Sequence, residues 1–411
     1  METHLADHIR DSDVGREAEA ILRACVHCGF CGATCPTYQL LGDELDSPRG
    51  RIYQIKEVLE GKRPTRVTQV HLDRCLTCLS CETTCPSGVR FGRLLEIGRS
   101  VVDQSVARPL LERFVRATVR ETVSRRVLFG GLLRVARALR QLLPARIQVK
   151  FAVRRSAGSI PSSGHARRVI LLTSCTQGAL LPAVDYAAAR VLDRLGVAVV
   201  VDPTAGCCGA LRAHLSDLEG ARVAARRNVD AWWPQVEAGV EALVMTASGC
   251  GLQVRDYGRL LAAEPAYAER AARLSALTLD LSVWLAREWS RLPLPVVAMP
   301  PVTVAFHAPC SLQHGQQING VVEPLLVALG ARLATVREAH LCCGSAGSYS
   351  LLQPTLSAAL RKRKISALTA GAPEVILSAN VGCLAHLEPA TAIPVRHWIE
   401  WLDERLSQAL N

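Results

Sequence analysis

Two runs of cysteine near the start of the chain have a spacing that suits metal binding. They read Cys25-x2-Cys28-x2-Cys31-x3-Cys35-Pro36 and Cys75-x2-Cys78-x2-Cys81-x3-Cys85-Pro86. A cubane cluster needs four thiolates, this spacing presents three from one tight loop, and in two-cluster ferredoxins the fourth cysteine ligates the other cluster. The sequence therefore predicts two interlocked [4Fe-4S] clusters. We expect the first on Cys25, Cys28, Cys31 and Cys85, and the second on Cys75, Cys78, Cys81 and Cys35.

Zinc is the main alternative to iron–sulfur clusters as the metal bound by these runs. Zinc sites usually pair C-x2-C units across a longer gap, and four cysteines within eleven residues do not fit tetrahedral wrapping.

The chain has sixteen cysteines, but its start, METHLADHIRDSD, is polar and lacks the apolar stretch of an export signal. In a reducing compartment clustered thiols bind metal more often than they form disulfides. We therefore expect a cytoplasmic iron–sulfur protein.

Eight further cysteines form a repeat in the second half of the chain. Its copies are Cys175, Cys207, Cys208 and Cys250, and Cys310, Cys342, Cys343 and Cys383, at offsets of 135, 135 and 133 residues. Chance rarely keeps such a register. Each set could ligate an additional cluster, ligate zinc, form a redox disulfide, or face a partner as free thiols. Adjacent cysteines suit a metal site better than a structural disulfide, and Gly209 and Gly344 leave room for the bend.

Three histidines and a tryptophan pair lie near these repeats in the sequence. His307, His340 and His386 are close to repeat cysteines, so each could be a ligand or a proton carrier, although ordinary loop histidines are the commoner case. Trp232 and Trp233 could stack on a cofactor, but within a helical pattern core packing is favoured. We expect one tryptophan in the core and the other near the surface.

The segments between the repeat cysteines alternate between buried strands and helices. In the first copy, RRVILLTSC, VAVVVD and ALVMTASGC predict strands, and residues 182–195 and 218–233 predict helices. In the second, PVTVAFHAPC, residues 334–336 and EVILSANVGC predict strands, with helices at 321–329 and 356–368. The order β-α-β-α-β favours a parallel sheet in each copy. Because ligands bind at the carboxyl ends of such strands, each copy should gather its cysteines at one rim.

Between the two cysteine-rich parts lies a basic segment. Residues 105–170 contain fifteen Arg or Lys and two Glu, a balance of +13 in a chain whose formal net charge is +11. The run VSRRVLFGGLLRVARALRQLL predicts an amphipathic helix that carries Arg125, Arg126, Arg134, Arg137 and Arg140. Such a helix could be a solvated face, contact a partner subunit, or bind an anionic membrane surface. Charge confined to one segment argues against a nucleic-acid-binding protein.

These observations predict a multidomain α/β protein with a mostly helical N-terminal ferredoxin-like part. We place the two-cluster domain at 1–100, a basic helical connector at 101–165, and the two cysteine-rich domains at 166–295 and 296–411. The longest uncharged region begins after Arg291 and is interrupted by prolines, so no transmembrane segment is predicted.

The chain lacks the sequence signals of an organic redox cofactor. It contains neither a G-x-G-x-x-G fingerprint nor a G-x-x-x-x-G-K-[ST] phosphate loop. Clusters pass electrons singly, so a two-electron oxidation of a carbon substrate requires a flavin-bearing partner. We expect no catalytic residue in this chain.

Several longer phrases resemble the glycolate oxidase (glycolate dehydrogenase) iron–sulfur subunit family. They are ILRACVHCGFCGATCPTYQLLGDELDSPRGRIYQIKEVLEG, HLDRCLTCLSCETTCPSGVRFG, AGCCGA, TASGCG, HLCCGSAGSY and VRHWIEW. The resemblance implies a complex in which FAD-containing subunits oxidise glycolate to glyoxylate, while this subunit passes electrons toward a quinone-type acceptor. It also implies a cytoplasmic protein that is peripheral on the inner face of the cytoplasmic membrane.

The resemblance leaves two other interpretations open. The partner could oxidise lactate or glycerol 3-phosphate, or the chain could be a scaffold stabilised by its clusters. The related repeats of heterodisulfide reductase end in C-x-x-C, whereas here the endings are Cys250-Gly-Leu-Gln253 and Cys383-Leu-Ala-His386. One expected ligand is therefore missing from each repeat.

Overall fold

A computed structural model describes residues 1–139, 157–161, 163–292 and 300–410. Up to residue 139 the described chain is helical, and two parallel sheets follow. The first helices are α1 (Asp7–Arg10), α2 (Asp13–Ala24), α3 (Phe30–Ala33), α4 (Pro36–Leu41), α5 (Pro48–Leu59), α6 (Arg66–Asp73), α7 (Ser80–Thr83), α8 (Phe91–Ser105), α9 (Leu110–Val123) and α10 (Arg126–Ala138), with a 3-10 turn at Glu44–Asp46.

Helices α2, α5 and α6 of this part begin at side-chain caps. The Ser47 hydroxyl accepts a hydrogen bond from the Gly50 amide, and Pro48 in the first turn has no amide proton that needs a partner. These two residues therefore fix the start of α5. Helix α5 packs on α8, where a Cβ at Gly98 would lie 2.6 Å from Cγ1 of Ile55. The core between these helices also includes Cys25 and Cys81, so both cysteine runs, which extend through α3 and α7, pack against it.

Each cysteine repeat folds as a four-stranded parallel sheet. The strands are β1 (Arg167–Leu172), β2 (Val197–Val200), β3 (Leu243–Met245), β4 (Thr278–Asp280), β5 (Val302–His307), β6 (Ala331–Leu333), β7 (Val375–Ser378) and β8 (Val395–His397). Their spatial orders are β2-β1-β3-β4 and β6-β5-β7-β8. The predicted fold class is thus confirmed, but each sheet has a fourth strand of three residues that the sequence reasoning missed. The strand predicted at 334–336 was misplaced, because the paired residues are Ala331–Leu333.

The crossover helices follow the predicted pattern. They are α11 (Gln177–Leu180), α12 (Ala183–Arg194), α13 (Ala210–His214), α14 (Leu218–Glu237), α15 (Ser248–Arg255), α16 (Tyr257–Leu260), α17 (Ala268–Leu277), α18 (Leu281–Glu288), α19 (Val322–Val327), α20 (Tyr349–Leu352), α21 (Pro354–Thr369), α22 (Val381–Leu387) and α23 (Trp398–Leu410), with short turns at Trp289–Arg291, Ser311–Gly315 and Glu388–Ala390. On α14, Trp232 is fully buried and Trp233 half-buried, as expected of core packing.

The two repeats share one hydrophobic core. Helix α12 of the first packs against α23 of the second, and side chains of both sheets belong to a single buried cluster. Arg190 and Arg194 both pair with Asp403, at 2.6 and 2.7 Å. The repeats are therefore held in one orientation, and their cysteine rims meet.

Helix α10 is amphipathic over its described length, as the basic segment predicted. Leu133 is buried, and the helix packs against α9 and α11. Exposed apolar residues fall at helical spacing along one stripe, formed by Leu128, Leu132 and Val135 with Leu139 just after the helix, and Val127 is exposed as well. Arg140 lies outside the described residues. Among the described residues, none of the helices combines the length and apolar character that a bilayer crossing requires.

Candidate metal centres

The loops of the two N-terminal cysteine runs have the same unusual backbone. His27 and Gly29 have φ of 54° and 86°, and Thr77 and Leu79, at the matching positions, have φ of 54° and 62°. Three of these four residues are not glycine, and left-handed backbone costs such residues free energy. Because both loops accept this cost at matching positions, their backbone conformation indicates a role in ligand binding.

The folded chain brings the cysteines into two groups that cross between the runs. One small cavity is lined by Cys25, Cys28, Cys31 and Cys85, with Cys81 also on its wall. The neighbouring cavity is lined by Cys35, Cys75, Cys78 and Cys81. The fourth cysteine of each run therefore lies with the first three of the other, the arrangement that two interlocked clusters require.

The ionisation of these thiols also suits metal binding. Burial raises the pKa of Cys31 to about 11, and burial followed by neighbouring thiols raises the pKa of Cys81 well above its usual range. Thiolate is the form that ligates metal, and a bound metal displaces the thiol proton. Crowded buried thiols of high pKa thus become thiolates when a cation compensates their charge.

A buried charge network supports the second group, and sequence reasoning missed it. Asp46 accepts hydrogen bonds from Arg51 at 3.0 Å and Arg74 at 2.9 Å, and the side chains of Asp46 and Arg51 are almost fully buried. Arg51 also donates to Thr37 at 3.1 Å, and the Thr37 hydroxyl lies 3.3 Å from the Cys35 sulfur. The only sequence signal was an acid and a base on either side of the Ser-Pro cap in DSPRGR.

All eight repeat cysteines line one central cavity of about 300 Å³. Cys78 of the N-terminal part lines it as well, and packs in one cluster with Cys342 and Tyr349. The Tyr349 hydroxyl donates a hydrogen bond to the Arg74 carbonyl at 3.1 Å, across the boundary between the two parts. The second repeat therefore lies directly against the second predicted cluster site.

In the first repeat, buried polar side chains hold the paired cysteines by their carbonyls. Asn228 donates to the Cys207 carbonyl at 3.1 Å and Tyr257 donates to the Cys208 carbonyl at 2.9 Å. The Cys207 sulfur lies 3.5 Å from that of Cys175. Hydrogen bonds from the Cys175 and Cys208 thiols hold the pKa of Cys207 well below its usual range. Within this repeat, the hydrogen bonds therefore favour the thiolate form at Cys207 over that at Cys175 or Cys208.

In the second repeat the sulfur atoms approach in two pairs. Cys310 and Cys342 are 3.9 Å apart, and Cys343 and Cys383 are 3.4 Å apart. A ring nitrogen of His307 joins the second pair, so that three potential ligand atoms lie within 4.8 Å of one another. All three residues are buried. The described first repeat has no such group.

The other two predicted histidines occupy different positions. The His340 carbonyl accepts a hydrogen bond from the His314 ring at 2.9 Å, and His386 Nε2 lies 3.3 Å from the Ser357 hydroxyl. Among the described residues, neither belongs to a group of three potential ligands. Of the three candidates, His307 is the one that the fold brings to the cysteines.

Two family models match the chain, in agreement with this geometry. One described as a 4Fe-4S dicluster domain matches residues 21–89, and one described as a cysteine-rich domain matches residues 169–255 and 304–388. The chain binds two [4Fe-4S] clusters, with the cysteine-rich domains following the cluster domain.

Curated relatives are similar over almost the whole chain. The glycolate oxidase iron–sulfur subunit of Escherichia coli K12 is 50% identical over 99% of this chain and 100% of its own length. A probable glycolate oxidase iron–sulfur subunit of Bacillus subtilis is 31% identical over 91% of this chain and 90% of its own. A heterodisulfide reductase subunit of Methanosarcina mazei is 23% identical over 95% of this chain and 94% of its own. The likeness spans both the cluster domain and the repeats.

Proposed function

Because the chain belongs to the family of glycolate oxidase iron–sulfur subunits, we propose that it is the electron-transfer subunit of a glycolate-oxidising complex. In this role it accepts electrons from FAD-containing partner subunits that oxidise glycolate to glyoxylate, and passes them toward a quinone-type acceptor. A bound [4Fe-4S] cluster exchanges single electrons with its neighbours. Oxidation of the carbon substrate belongs to the partner, and this chain contributes no catalytic residue.

One observation carries this proposal: the cysteine groups form a continuous series through the protein. The group of Cys25, Cys28, Cys31 and Cys85 adjoins the group of Cys75, Cys78, Cys81 and Cys35, and Cys81 lines both cavities. Cys78 then lines the cavity of the eight repeat cysteines. A scaffold would not need three adjoining sets of thiols, whereas a relay requires redox sites close together.

We propose that each cluster is held by three cysteines of one run and the fourth cysteine of the other run. Serine variants test this assignment. Cys28→Ser and Cys35→Ser should each lower iron and acid-labile sulfide by about one cluster's worth, since each removes a ligand of one cluster. Cys35→Ser should then lose the same paramagnetic resonance component as Cys78→Ser, and Cys85→Ser the same one as Cys28→Ser. Thr34→Ser, a conservative change beside Cys35, is the control and should keep the full iron content. If Cys35→Ser instead matched Cys28→Ser, the clusters would not be interlocked.

The relay itself is tested by reducing the assembled complex with its substrate. Adding glycolate to the purified complex should generate the resonance signals of reduced clusters in this chain. Lactate and glycerol 3-phosphate, added in parallel, distinguish the alternative substrates. If glycolate reduced the flavin but no cluster, the relay would be contradicted and the scaffold alternative favoured.

We also propose that α9 and α10 lie on an anionic membrane surface. Leu110, Leu111 and Phe114 at the start of α9 are exposed, as is the apolar stripe of α10. Exposed Arg113 and Arg134 belong to the segment 105–170, whose +13 balance complements anionic lipid. The protein would then be cytoplasmic and peripheral, with the proposed connector 101–165 between the cluster domain and the two domains at 166–295 and 296–411.

Vesicle binding distinguishes this surface from a subunit contact. The complex should sediment with vesicles that contain phosphatidylglycerol and be released by salt. Arg113→Gln with Arg134→Gln should weaken this binding, as should Leu128→Ser with Val135→Ser, while Lys362→Gln on α21 serves as the control. Arg126 and Arg137 are less suitable, because they donate hydrogen bonds to Thr173 and to the Ala179 carbonyl. Unchanged binding in both double variants would contradict the membrane surface.

A further inference from the structure

The two repeats differ at one position that faces their cysteines. The last residue of β1 is Leu172 and the last residue of β5 is His307, separated by the same 135 residues as the first cysteines of the repeats. Leu172 is buried in the hydrophobic cluster of its repeat. His307 instead lines the central cavity beside the cysteines. An apolar residue and a metal-binding residue thus occupy equivalent places.

The surroundings of His307 do not account for a buried imidazole. Its ring is 2% exposed, and Nε2 has no hydrogen-bond partner among the described residues. Buried polar atoms are nearly always paired, so an unpaired one requires an explanation. A ring nitrogen of His307 and the two sulfur atoms of Cys343 and Cys383 lie within 4.8 Å of one another. Convergence of three donor atoms in a buried pocket is what a metal ion satisfies.

The distances fit a single metal ion. With metal–sulfur bonds of about 2.3 Å, two thiolates on a tetrahedral ion lie about 3.8 Å apart. The Cys343 and Cys383 sulfur atoms are 3.4 Å apart, and the Cys310 and Cys342 sulfur atoms beside them are 3.9 Å apart. Thiolate with imidazole is a ligand set that suits iron and zinc. Geometry and donor chemistry therefore agree.

A second difference between the repeats points the same way. Lys364 is almost fully buried, and its ammonium donates hydrogen bonds to the Glu338 and Ala339 carbonyls at 2.9 and 3.3 Å, just before the paired cysteines. Judged by the contacts that the two helices make with Gly209 and Gly344, the equivalent residue of the first repeat lies 136 positions earlier and is the buried Asn228. The second repeat thus has a charged side chain where the first has a neutral amide, and an imidazole where the first has an apolar side chain.

We propose that His307, Cys343 and Cys383 bind one metal ion in the second repeat, either an iron of a cluster or a zinc. One of Cys310 and Cys342, which lie beside them, supplies the fourth ligand of a tetrahedral ion. On binding, the thiols lose their protons to solvent and the imidazole provides a nitrogen lone pair. His307 supplies a ligand in place of the cysteine that the related repeats have at the position of His386. The first repeat has no equivalent of His307. This inference rests on metal binding by the repeats, which is separate from the relay role.

Metal analysis of the full-length chain tests the proposal. Two [4Fe-4S] clusters account for eight iron and eight sulfide, so metal above that amount belongs to the repeats. His307→Leu, which gives the second repeat the residue of the first, should lose the excess metal of one site. His307→Cys should retain it, because a thiolate replaces the imidazole. His340→Leu, a change at a histidine outside the group, should have no effect.

The outcomes separate this proposal from the others. Excess iron with sulfide identifies a cluster and excess zinc identifies a mononuclear ion; loss of either in His307→Leu supports the proposal. Excess metal that persists in His307→Leu overturns it while leaving metal binding by the repeats intact. A wild-type chain with eight iron and no other metal overturns both, and reduction of the two clusters by glycolate would still support the relay.

A spectroscopic measurement covers the case in which His307→Leu fails to fold. In the unaltered protein, nitrogen coupling to a paramagnetic cluster should change when histidine is labelled with ¹⁵N, or X-ray absorption at the zinc edge should show a nitrogen ligand beside sulfur. If repeat-bound metal were present with sulfur as its only protein ligand, the proposal would be overturned.

Discussion

The two cysteine repeats have the same chain path but different surroundings for their cysteines. Both are four-stranded parallel sheets, and both bend after the paired cysteines at a left-handed glycine, Gly209 with φ of 91° and Gly344 with φ of 90°. In the first, neutral Asn228 and Tyr257 hold the cysteine carbonyls. In the second, the position equivalent to Asn228 is Lys364, whose ammonium donates hydrogen bonds to the Glu338 and Ala339 carbonyls.

This difference shows how a duplicated backbone can carry two sites of unlike chemistry. The bend and the sheet bring four thiols together in each copy, while residues on the crossover helix and at the strand end set the charge around them. The second copy adjoins Cys78 of the cluster domain and has both the imidazole and the ammonium. The copies should therefore respond differently to matched substitutions.

The largest expected effect concerns the two glycines. A Cβ at Gly344 would lie 2.7 Å from the Ser357 carbonyl oxygen, and one at Gly209 would lie 3.2 Å from the Ala221 carbonyl oxygen. Both substitutions impose left-handed strain, and the first adds a backbone clash. We expect Gly344→Ala to lower the free energy of unfolding by about 3 kcal/mol and Gly209→Ala by about 1–2 kcal/mol. Urea denaturation of both variants measures this, and equal losses would contradict the difference.

A pH effect of similar size is expected from the first repeat. Burial raises the pKa of Asp185 from 3.8 to about 6, although Gln177 and Thr246 donate hydrogen bonds to it. Between these values the folded state binds more protons than the unfolded state, so stability falls as pH rises from about 4 to about 6.

The loss attributable to this carboxyl should be about 2–3 kcal/mol. Asp185→Asn should remove that part of the pH dependence, whereas Glu237→Gln, a change on the exposed side of α14, should leave it. Denaturation at several pH values measures both. A pH dependence that survives in Asp185→Asn would have to come from another titrating group.

A smaller effect separates the buried Asn228 on α14 from the half-buried Arg363 on the corresponding helix α21. Asn228 is buried, donates to the Cys207 carbonyl and to Tyr257, and accepts from the Gly206 amide at 2.8 Å. Arg363 forms a partly exposed ion pair with Glu338. Asn228→Ala should destabilise the fold by about 2 kcal/mol, because it leaves buried groups unpaired, and Arg363→Ala by about 0.5 kcal/mol or less. Thermal denaturation measures both, and the reverse order would be inconsistent with these contacts.

The smallest expected effect is the loss of one hydroxyl. The Tyr257 hydroxyl donates to the Cys208 carbonyl in a fully buried setting, whereas the Tyr267 hydroxyl donates to Asp230 at the surface, both at 2.9 Å. Tyr257→Phe should cost about 1 kcal/mol, and Tyr267→Phe a few tenths of a kcal/mol. Urea midpoints compare them. If Tyr267→Phe lost more stability than Tyr257→Phe, the hydrogen bond from Tyr257 to the Cys208 carbonyl would not be important for the fold.

The fourth strands of the two sheets show the same divergence at a buried position. They end in Asp280 and His397. Burial raises the pKa of Asp280 to about 6 and lowers the pKa of His397 to about 4, so each shift favours the neutral form. His397 Nε2 lies 2.9 Å from the Thr246 carbonyl of the first repeat, so this strand end also joins the repeats.

Local patterns were enough to predict much of this protein. The cysteine spacing and the apolar runs are periodic within short stretches, so the sequence by itself determined the cluster motifs, the duplicated parallel sheets and the main crossover helices. Strands β4 and β8 were not predicted, because three paired residues are too few to show a hydrophobic period. The strand at Ala331–Leu333 was misplaced by three residues, since pairing with β5 decides where it begins and ends.

Only the tertiary structure decided which groups meet. The packing of α12 on α23 turns both cysteine rims toward one cavity, and Tyr349 and Cys342 bring the second repeat to Cys78. It also brings His307 to the cysteines and leaves His340 and His386 outside that group of ligands. Residues tens or hundreds of positions apart approach through packing of whole helices and sheets, and no local period in the sequence records that approach.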